Sequence, residues 1–251
     1  MSDILVAKDL CKTFSNESVQ QHVLKNLNLS IKEGDFTVIM GNSGSGKSTL
    51  LYALSGMDRP TLGNVSYHGE DISKYSNDKL AIFRRKHCGF VFQQNYLNDS
   101  MSVLDNIMIC GLLATKDRKA LVEKAKKLLL QVGISEQTFH KFPTQLSGGE
   151  QQRVAVIRGI INDPEILFAD EPTGALNSQN TENVLNVLTA LNKAGQSIVM
   201  VTHDMKSARR ANRVLYLRDG IITGELDLGT YQSGDRDRHE KLRHFLQEMG
   251  W

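Results

Sequence analysis

No stretch of this 251-residue chain is long and apolar enough to cross a bilayer. The longest apolar run, residues 107–114, falls well short of the ~18 residues a spanning helix needs, and the N-terminus lacks the basic-then-apolar layout of a secretion signal. Any work at a membrane therefore requires another chain to supply the spanning helices. Cysteine is equally sparse. Cys11, Cys88 and Cys110 are odd in number and far apart, with no C-x-x-C, so neither a disulfide framework nor a zinc site is indicated, and a reducing cytoplasm is the expected setting. Charge is nearly balanced, 30 Lys and Arg against 28 Asp and Glu for a net +2, which gives no footprint for a nucleic-acid partner. The one local basic stretch, Arg209, Arg210, Arg213 and Arg218, reads most simply as a solvated helix face. Internal repeats and low-complexity segments are absent.

What remains is the composition of an ordinary soluble domain, 40% hydrophobic and 23% charged, enough for a proper core. The length suits one core with a smaller attached lobe. Apolar residues alternate at Val23, Leu27, Leu29 and Ile31, then residues 36–40 form a short buried-strand run leading into a glycine-rich loop. A helix is expected over residues 47–55, stopped by Gly56, and a further strand over residues 88–92, ending at Gln93. Residues 94–145 turn helical. Ser102 and Asp105 make a capping pair, and Leu121, Ala125, Leu128 and Leu129 recur at helical spacing before Gly133. Another helix over about 149–162, strands at 166–169 and 197–201 separated by a helix over about 181–193, and a closing hairpin over 213–226 complete the pattern. Strands alternating with helices imply a largely parallel sheet covered on both faces. Beyond Gly229 the chain is polar until Leu242, Phe245, Leu246 and Met249, spaced to line one face of a short appended helix that packs on its own core or on a partner.

Three motifs carry chemistry. The first is GNSGSGKST, residues Gly41, Asn42, Ser43, Gly44, Ser45, Gly46, Lys47, Ser48 and Thr49. It fits a phosphate-binding loop: glycines let backbone N–H groups curl around an anion, the following helix N-terminus adds partial positive charge, Lys47 reaches terminal phosphates and Ser48 holds Mg²⁺. The second is ILFADE. An apolar strand delivers Asp170 to the sheet edge, where a carboxylate can hold the same metal, and Glu171 is placed to orient and deprotonate a water. The third is LSGGEQQR, in which Ser147, Gly148 and Gly149 open a helix and offer a hydroxyl and free N–H groups to a second anion.

The order, spacing and wording of these motifs resemble the ATP-binding subunit of an ABC transporter, from about residue 4 to residue 226. The resemblance implies an α/β fold: a P-loop NTPase core with a mostly parallel sheet, an N-terminal antiparallel β portion and an inserted helical lobe at about 94–162, within a cassette of residues 1–229 followed by the appended helix at 230–251. It implies ATP and Mg²⁺ as ligands, and a head-to-tail homodimer in which Ser147, Gly148 and Gly149 dock on the γ-phosphate held by the opposite copy. Gln93 falls where the family senses Mg²⁺ and the attacking water. His203, in VTHD, matches the histidine that contacts the γ-phosphate, and Phe14 sits where an aromatic ring stacks on adenine, with a core role as the competing reading. The implied partner is an integral membrane permease, and the implied location is the cytoplasmic face of a bacterial membrane.

Two departures stand out. Asn177 occupies a position where most members have aspartate, and Glu150 replaces the commoner glutamine after LSGG, a change expected to leave every phosphate ligand untouched. GFVFQQN and ADEPTGALNS look like the lipoprotein-release and macrolide-efflux branch, and Asn177 with the tail ending Met249, Gly250 and Trp251 looks closest to its bacitracin and lantibiotic resistance subgroup. The expected function is thus ATP hydrolysis powering export of antimicrobial peptides or their lipid complexes. A soluble ABC-type regulator of ribosomes or DNA is the alternative, though such proteins carry two cassettes or a long coiled-coil insertion. A GTPase is disfavoured because Asn192 and Lys193 lack the aspartate of a guanine-reading motif.

Overall fold

The N-terminal third is dominated by two long strands, β1 (Asp3–Asn16) and β2 (Val19–Lys32), paired antiparallel in a computed structural model that describes residues 2–16 and 19–251. In β2 the expected alternation holds at Leu27, Leu29 and Ile31, but the inward residue before them is Leu24 and not Val23. Asn26, in the left-handed region at φ 51°, together with register shifts against β1, explains the change of parity. An extra residue in one strand flips the face of everything before it.

The chain then enters β3 (Phe36–Met40), every residue of which is buried, and turns through the glycine loop into helix α1 (Lys47–Leu54). The stretch that follows gave no element in the sequence. It folds as β4 (Leu62–Tyr67), the two-residue β5 (Glu70–Asp71) and α2 (Asn77–His87), capped by Ser76 accepting from Lys79 N–H. Strand β6 (Cys88–Phe92) leads to α3 (Val103–Gly111), capped by Ser102 as expected, then α4 (Arg118–Gln131) and α5 (Gly148–Ile160). Next come β7 (Ile166–Asp170), α6 (Ser178–Lys193), β8 (Ser197–Val201), the single turn α7 (Met205–Ala208), the hairpin β9 (Arg213–Arg218) and β10 (Ile221–Asp227), and α8 (Arg236–Glu248). Helix α6 starts three residues before the sequence suggested, because the Asn177 side chain caps it by accepting from Asn180 N–H at 2.9 Å.

Two sheets result. One is antiparallel, in the order β2-β1-β4-β5; the other runs β10-β9-β3-β8-β7-β6, with β9, β3, β8, β7 and β6 parallel and β10 antiparallel at the edge. The fully buried strands β3, β7 and β8 are rich in Ile, Val and Phe because both faces of a parallel sheet are covered. On one side the larger sheet shares a core with α1 and the antiparallel sheet, through Ile39, Leu50, Leu54, Phe168 and Leu215. On the other it packs against α3, α4, α5, α6 and α8, through Val38, Ile107, Leu129, Ile157 and Leu188.

Two expectations about the C-terminal half resolve here. Leu242, Phe245 and Leu246 of α8 are buried in that second core, so the tail helix packs on its own chain. The basic stretch at 209–218 is not a solvated helix face, and of its four arginines only Arg218 is exposed. Arg210 is buried and pairs with Glu182, while Arg213 in β9 makes a two-pronged bond to Glu225 of β10 and also donates to Ser30 O. Arginine tolerates such burial because its fork matches a carboxylate and a carbonyl at once.

Candidate functional site

Parallel register gathers the chemistry. Ile39 lies beside Val201, Val201 beside Asp170, and Asp170 beside Phe92, so β3, β8, β7 and β6 end along one edge. The glycine loop, His203, Glu171 and Gln93 all leave from that edge, the place where open parallel sheets present their ligand sites.

Residues 41–46 wrap from β3 into α1. Gly41 has φ 151°, and a Cβ there would fall 2.0 Å from Leu217 O, so only glycine fits against β9 at this point. Lys47 folds back across the loop and donates to Gly41 O at 2.9 Å and Asn42 O at 2.8 Å. Burial pulls its pKa below the ordinary lysine value, partly offset by the charges of Glu171 and Asp170. The ammonium is thus held by two neutral carbonyls beside acidic groups, and an anion in the loop offers it stronger partners. Ser45 Oγ is buried within the loop and has no hydrogen-bond partner among the described residues, a polar atom left open where the loop would meet an anion. Asn42, Ser43 and Gly44 are exposed, and Thr49 sits in the first turn of α1.

Asp170 is buried at the end of β7 and accepts two hydroxyl hydrogen bonds from α1, Ser48 Oγ to Oδ1 at 3.0 Å and Tyr52 OH to Oδ2 at 2.9 Å. Burial first, then the bond to Asp170, pushes the Tyr52 phenol up to about 12, which keeps it a donor. A hydroxyl and a carboxylate side by side form an oxygen-only donor set, suited to a hard cation such as Mg²⁺.

Glu171 adopts φ 49°, in the left-handed region that a non-glycine residue seldom occupies. Its carboxylate accepts or shares a proton with His203 Nδ1 at 2.8 Å; the histidine is two-thirds exposed and Glu171 largely covered. Gln93 packs its amide against Gly174, in the loop that follows Glu171. Phe14 lies exposed near the end of β1, with the Lys12 ammonium 4.9 Å from its ring centre, so it is not a core residue.

Ser147, Gly148 and Gly149 do open a helix, with Ser147 as the cap of α5. Here the structure corrects the sequence reading of Glu150. Ser147 donates to Glu150 Oε2 twice, from its N–H at 2.9 Å and its hydroxyl at 2.7 Å, while Glu150 N–H donates back to Ser147 Oγ. Glu150 therefore does touch one of the expected phosphate ligands. These bonds hold its carboxyl below the ordinary glutamate value. The S-x-x-E spacing of a capping box was the available signal. Gly149 is tied to α6, because a Cβ there would come 2.4 Å from the Asn180 side chain. Tyr52 was also missed, and its signal was one helical turn of separation from Ser48.

With the geometry in hand, known proteins agree on its kind. The family described as ABC transporter matches residues 24–174. The chain is 44% identical over 219 residues to an uncharacterised ABC transporter ATP-binding protein of Methanocaldococcus jannaschii, covering 87% of this chain and 97% of that one. It is 42% identical over 227 residues to the lipoprotein-releasing system ATP-binding protein LolD of Aquifex aeolicus, covering 90% and 99%. The macrolide export ATP-binding/permease protein MacB of a Shewanella strain is 42% identical over 226 residues, which make up 90% of this chain but 34% of MacB. Among solved structures, the dimeric cassette MJ0796 bound to ADP and phosphate superposes with a TM-score of 0.81 at 37% identity, over 90% of this chain and all of that one. A match over more than half of the chain, relatives covered almost end to end and a shared cassette fold lead to one conclusion: this chain belongs to the ABC transporter family, as an ATP-binding cassette and an ATPase.

Proposed function

We propose that this cassette is the ATP-hydrolysing subunit of a membrane exporter, working as a head-to-tail pair of identical copies on the cytoplasmic face of a bacterial membrane, bound to an integral permease. The observation that carries the reading is the Glu171–His203 hydrogen bond at the sheet edge, one residue from the Asp170–Ser48 pair and close enough for the Glu171 charge to act on Lys47. In this reading Asn42, Ser43, Gly44, Ser45, Gly46 and Thr49 supply donors around the phosphates of ATP, and Lys47 leaves Gly41 O and Asn42 O for the outer phosphates. Ser48 and Asp170, with Gln93 close by, would hold Mg²⁺, which when bound neutralises charge on those phosphates. Glu171 takes the proton of the attacking water, and His203 holds Glu171 in place and reaches toward the γ-phosphate. Phe14 stacks on adenine, an orientation its exposure allows.

Ser147, Gly148 and Gly149 then serve the nucleotide of the opposite copy, an arrangement supported by the dimeric state of the similar cassette MJ0796. ATP closes the pair, and hydrolysis lets it open. No described helix is long and apolar enough to cross a membrane. The similar MacB carries a permease in its name and LolD belongs to a lipoprotein-releasing system, which supports a membrane partner. For cargo we favour antimicrobial peptides or their lipid complexes, on the resemblance of Asn177 and the short tail to that subgroup; lipoproteins and macrolides are the competing classes. Glu171→Gln tests the chemistry: hydrolysis should fall by ~10²–10⁴, the usual worth of a positioned base, while ATP binding persists and traps a dimer. Turnover at the unmutated rate would remove Glu171 from the mechanism.

A further inference from the structure

The acidic residue at the end of β7 is held from two directions by one helix. Ser48 and Tyr52 lie at i and i+4 of α1, which places both on the same face. Ser48 takes Oδ1 of Asp170 and Tyr52 takes Oδ2, so each carboxylate oxygen has its own donor. Left alone, an aspartate carboxylate turns rather freely about its last torsion. With both oxygens engaged, it cannot.

The backbone that carries Tyr52 is fixed independently of its hydroxyl. Its main-chain carbonyl accepts from Met57 N–H at 2.9 Å, Asp58 N–H at 3.1 Å and the Ser55 hydroxyl at 3.2 Å, which locks the end of α1. The ring also packs against the core between α1 and the antiparallel sheet. Its hydroxyl thus reaches Asp170 at 2.9 Å from a fixed backbone and a ring that rests on the core.

We propose that Tyr52 is a positioning residue that sets the orientation of the Asp170 carboxylate for the divalent cation accompanying ATP. The inference rests on the ATPase reading above and deepens it. Ser48 can keep donating its proton to Oδ1 while turning an oxygen lone pair to the cation, because a hydroxyl has one donor and two acceptor sites. Tyr52 has no such double duty. Its role is to keep Oδ2 occupied, so that Asp170 presents Oδ1 and its remaining lone pairs to the cation side. Partners of this kind, one step removed from a metal, are commonly worth 10–100-fold in metal affinity.

The test is Tyr52→Phe in the whole chain, which removes one oxygen and keeps the ring and every main-chain bond. ATP binding is measured with a fluorescent ATP analogue across a Mg²⁺ titration, and again in EDTA without metal, beside thermal unfolding. The expected result is a rise of about tenfold in the Mg²⁺ concentration for half-maximal effect, with metal-free binding and melting temperature held close to the parent. Bound Mn²⁺, counted by electron paramagnetic resonance in the presence of ATP, should weaken in parallel. A Mg²⁺ midpoint within twofold of the parent overturns the proposal. So does a loss of metal-free binding that matches the loss in Mg²⁺, which is the mark of a merely structural tyrosine. Should the parent itself show no Mg²⁺-dependent ATP binding, the ATPase reading fails along with this one; a normal parent beside an unchanged Tyr52→Phe sinks the inference alone.

Discussion

Replacing Glu150 by glutamine should strengthen ATP-driven pairing of two cassettes. In the structure the Ser147 hydroxyl, the group proposed to meet the partner's γ-phosphate, is spent on Glu150 Oε2 at 2.7 Å. The incoming phosphate must break that bond. A hydrogen bond to a charged acceptor contributes about 1.5–3 kcal/mol and one to a neutral acceptor about 0.5–1.5, so the amide lowers the release cost by ~1 kcal/mol per site. Two sites close in one dimer, and ~2 kcal/mol corresponds to a pairing constant tighter by roughly 30-fold. Removing the carboxylate also removes a like charge from the phosphate's surroundings, which acts in the same direction. There is an opposing effect on the isolated chain. An acidic side chain at a helix N-terminus is worth about 0.3–1 kcal/mol, so Glu150→Gln should melt a few degrees lower at most. The folded pKa of Glu150 lies below its ordinary 4.5, so its stabilising contribution is present above that value and is lost as pH falls through the lower folded one. The difference in melting temperature between parent and variant should accordingly begin to shrink as pH falls below about 4.5 and vanish only once it is below the folded value. Sedimentation equilibrium in Mg-ATP, in a Glu171→Gln background that prevents turnover, measures the pairing constant directly. Unchanged or weaker pairing, with the melting temperature inside the stated range, would show that Ser147 is not released to a phosphate.

Two further outcomes follow from burial. Cys88, next to the Tyr67 hydroxyl and Ser55 O, has its thiol pushed from 9.0 to about 12, a difference of about three units and a thousandfold less thiolate. Iodoacetamide at pH 8 should label Cys11 well before Cys88 in the folded chain, and equal labelling rates by mass spectrometry would contradict the packing. Arg238 of α8 donates to Arg209 O, Leu228 O, Gly229 O and Ala211 O, so Arg238→Met strands four carbonyls. A loss of about 3–5 kcal/mol, on the order of 10 °C by calorimetry, is expected, and a drop below about 3 °C would mean these bonds hold little.

Where residues dictate local geometry, the sequence was a good guide. The strands at 88–92 and 197–201 and the hairpin at 213–218 and 221–227 sit where apolar runs and the Asp219-Gly220 turn put them. Fully buried parallel strands leave an unbroken apolar run, and two-residue turns leave a glycine. Residues 62–87 left neither. In β4 only Val65 and Tyr67 are buried, and α2 buries just Leu80 and Phe83 among six charged or histidine side chains, too narrow a stripe to show as a period. The tail was legible as a helix through Leu242, Phe245 and Leu246, yet nothing in the sequence marked Arg238, four residues before Leu242, as part of the buried face. Its four carbonyl partners come from two separate stretches of chain, 209–211 and 228–229, and no local pattern encodes that. The phosphate loop, Asp170 and Glu171 could be placed from wording alone because each directly follows a strand. Tyr52 and Glu150 could not be weighted, since their importance lies in which neighbour they occupy.

The closeness of Glu171 and His203 is itself a product of strain. Both residues follow a buried strand, β7 and β8, and Glu171 N–H still donates to Val201 O, extending the ladder by one bond. An ordinary extended residue at that position would send its side chain to one face of the sheet, toward the packed cores. The left-handed backbone at φ 49° breaks the alternation and turns the carboxylate along the edge, where His203 Nδ1 meets it at 2.8 Å. Such a conformation costs on the order of 1–3 kcal/mol in a non-glycine residue and survives only where neighbours over-determine it. Here they do: the N–H is fixed by Val201, the carbonyl accepts from Gly174 N–H, and Asp170 just before it is locked in β7. The buried strands thus supply the stability, and one residue beyond their ends converts part of it into the off-axis placement that the proposed water-activating role of Glu171 needs.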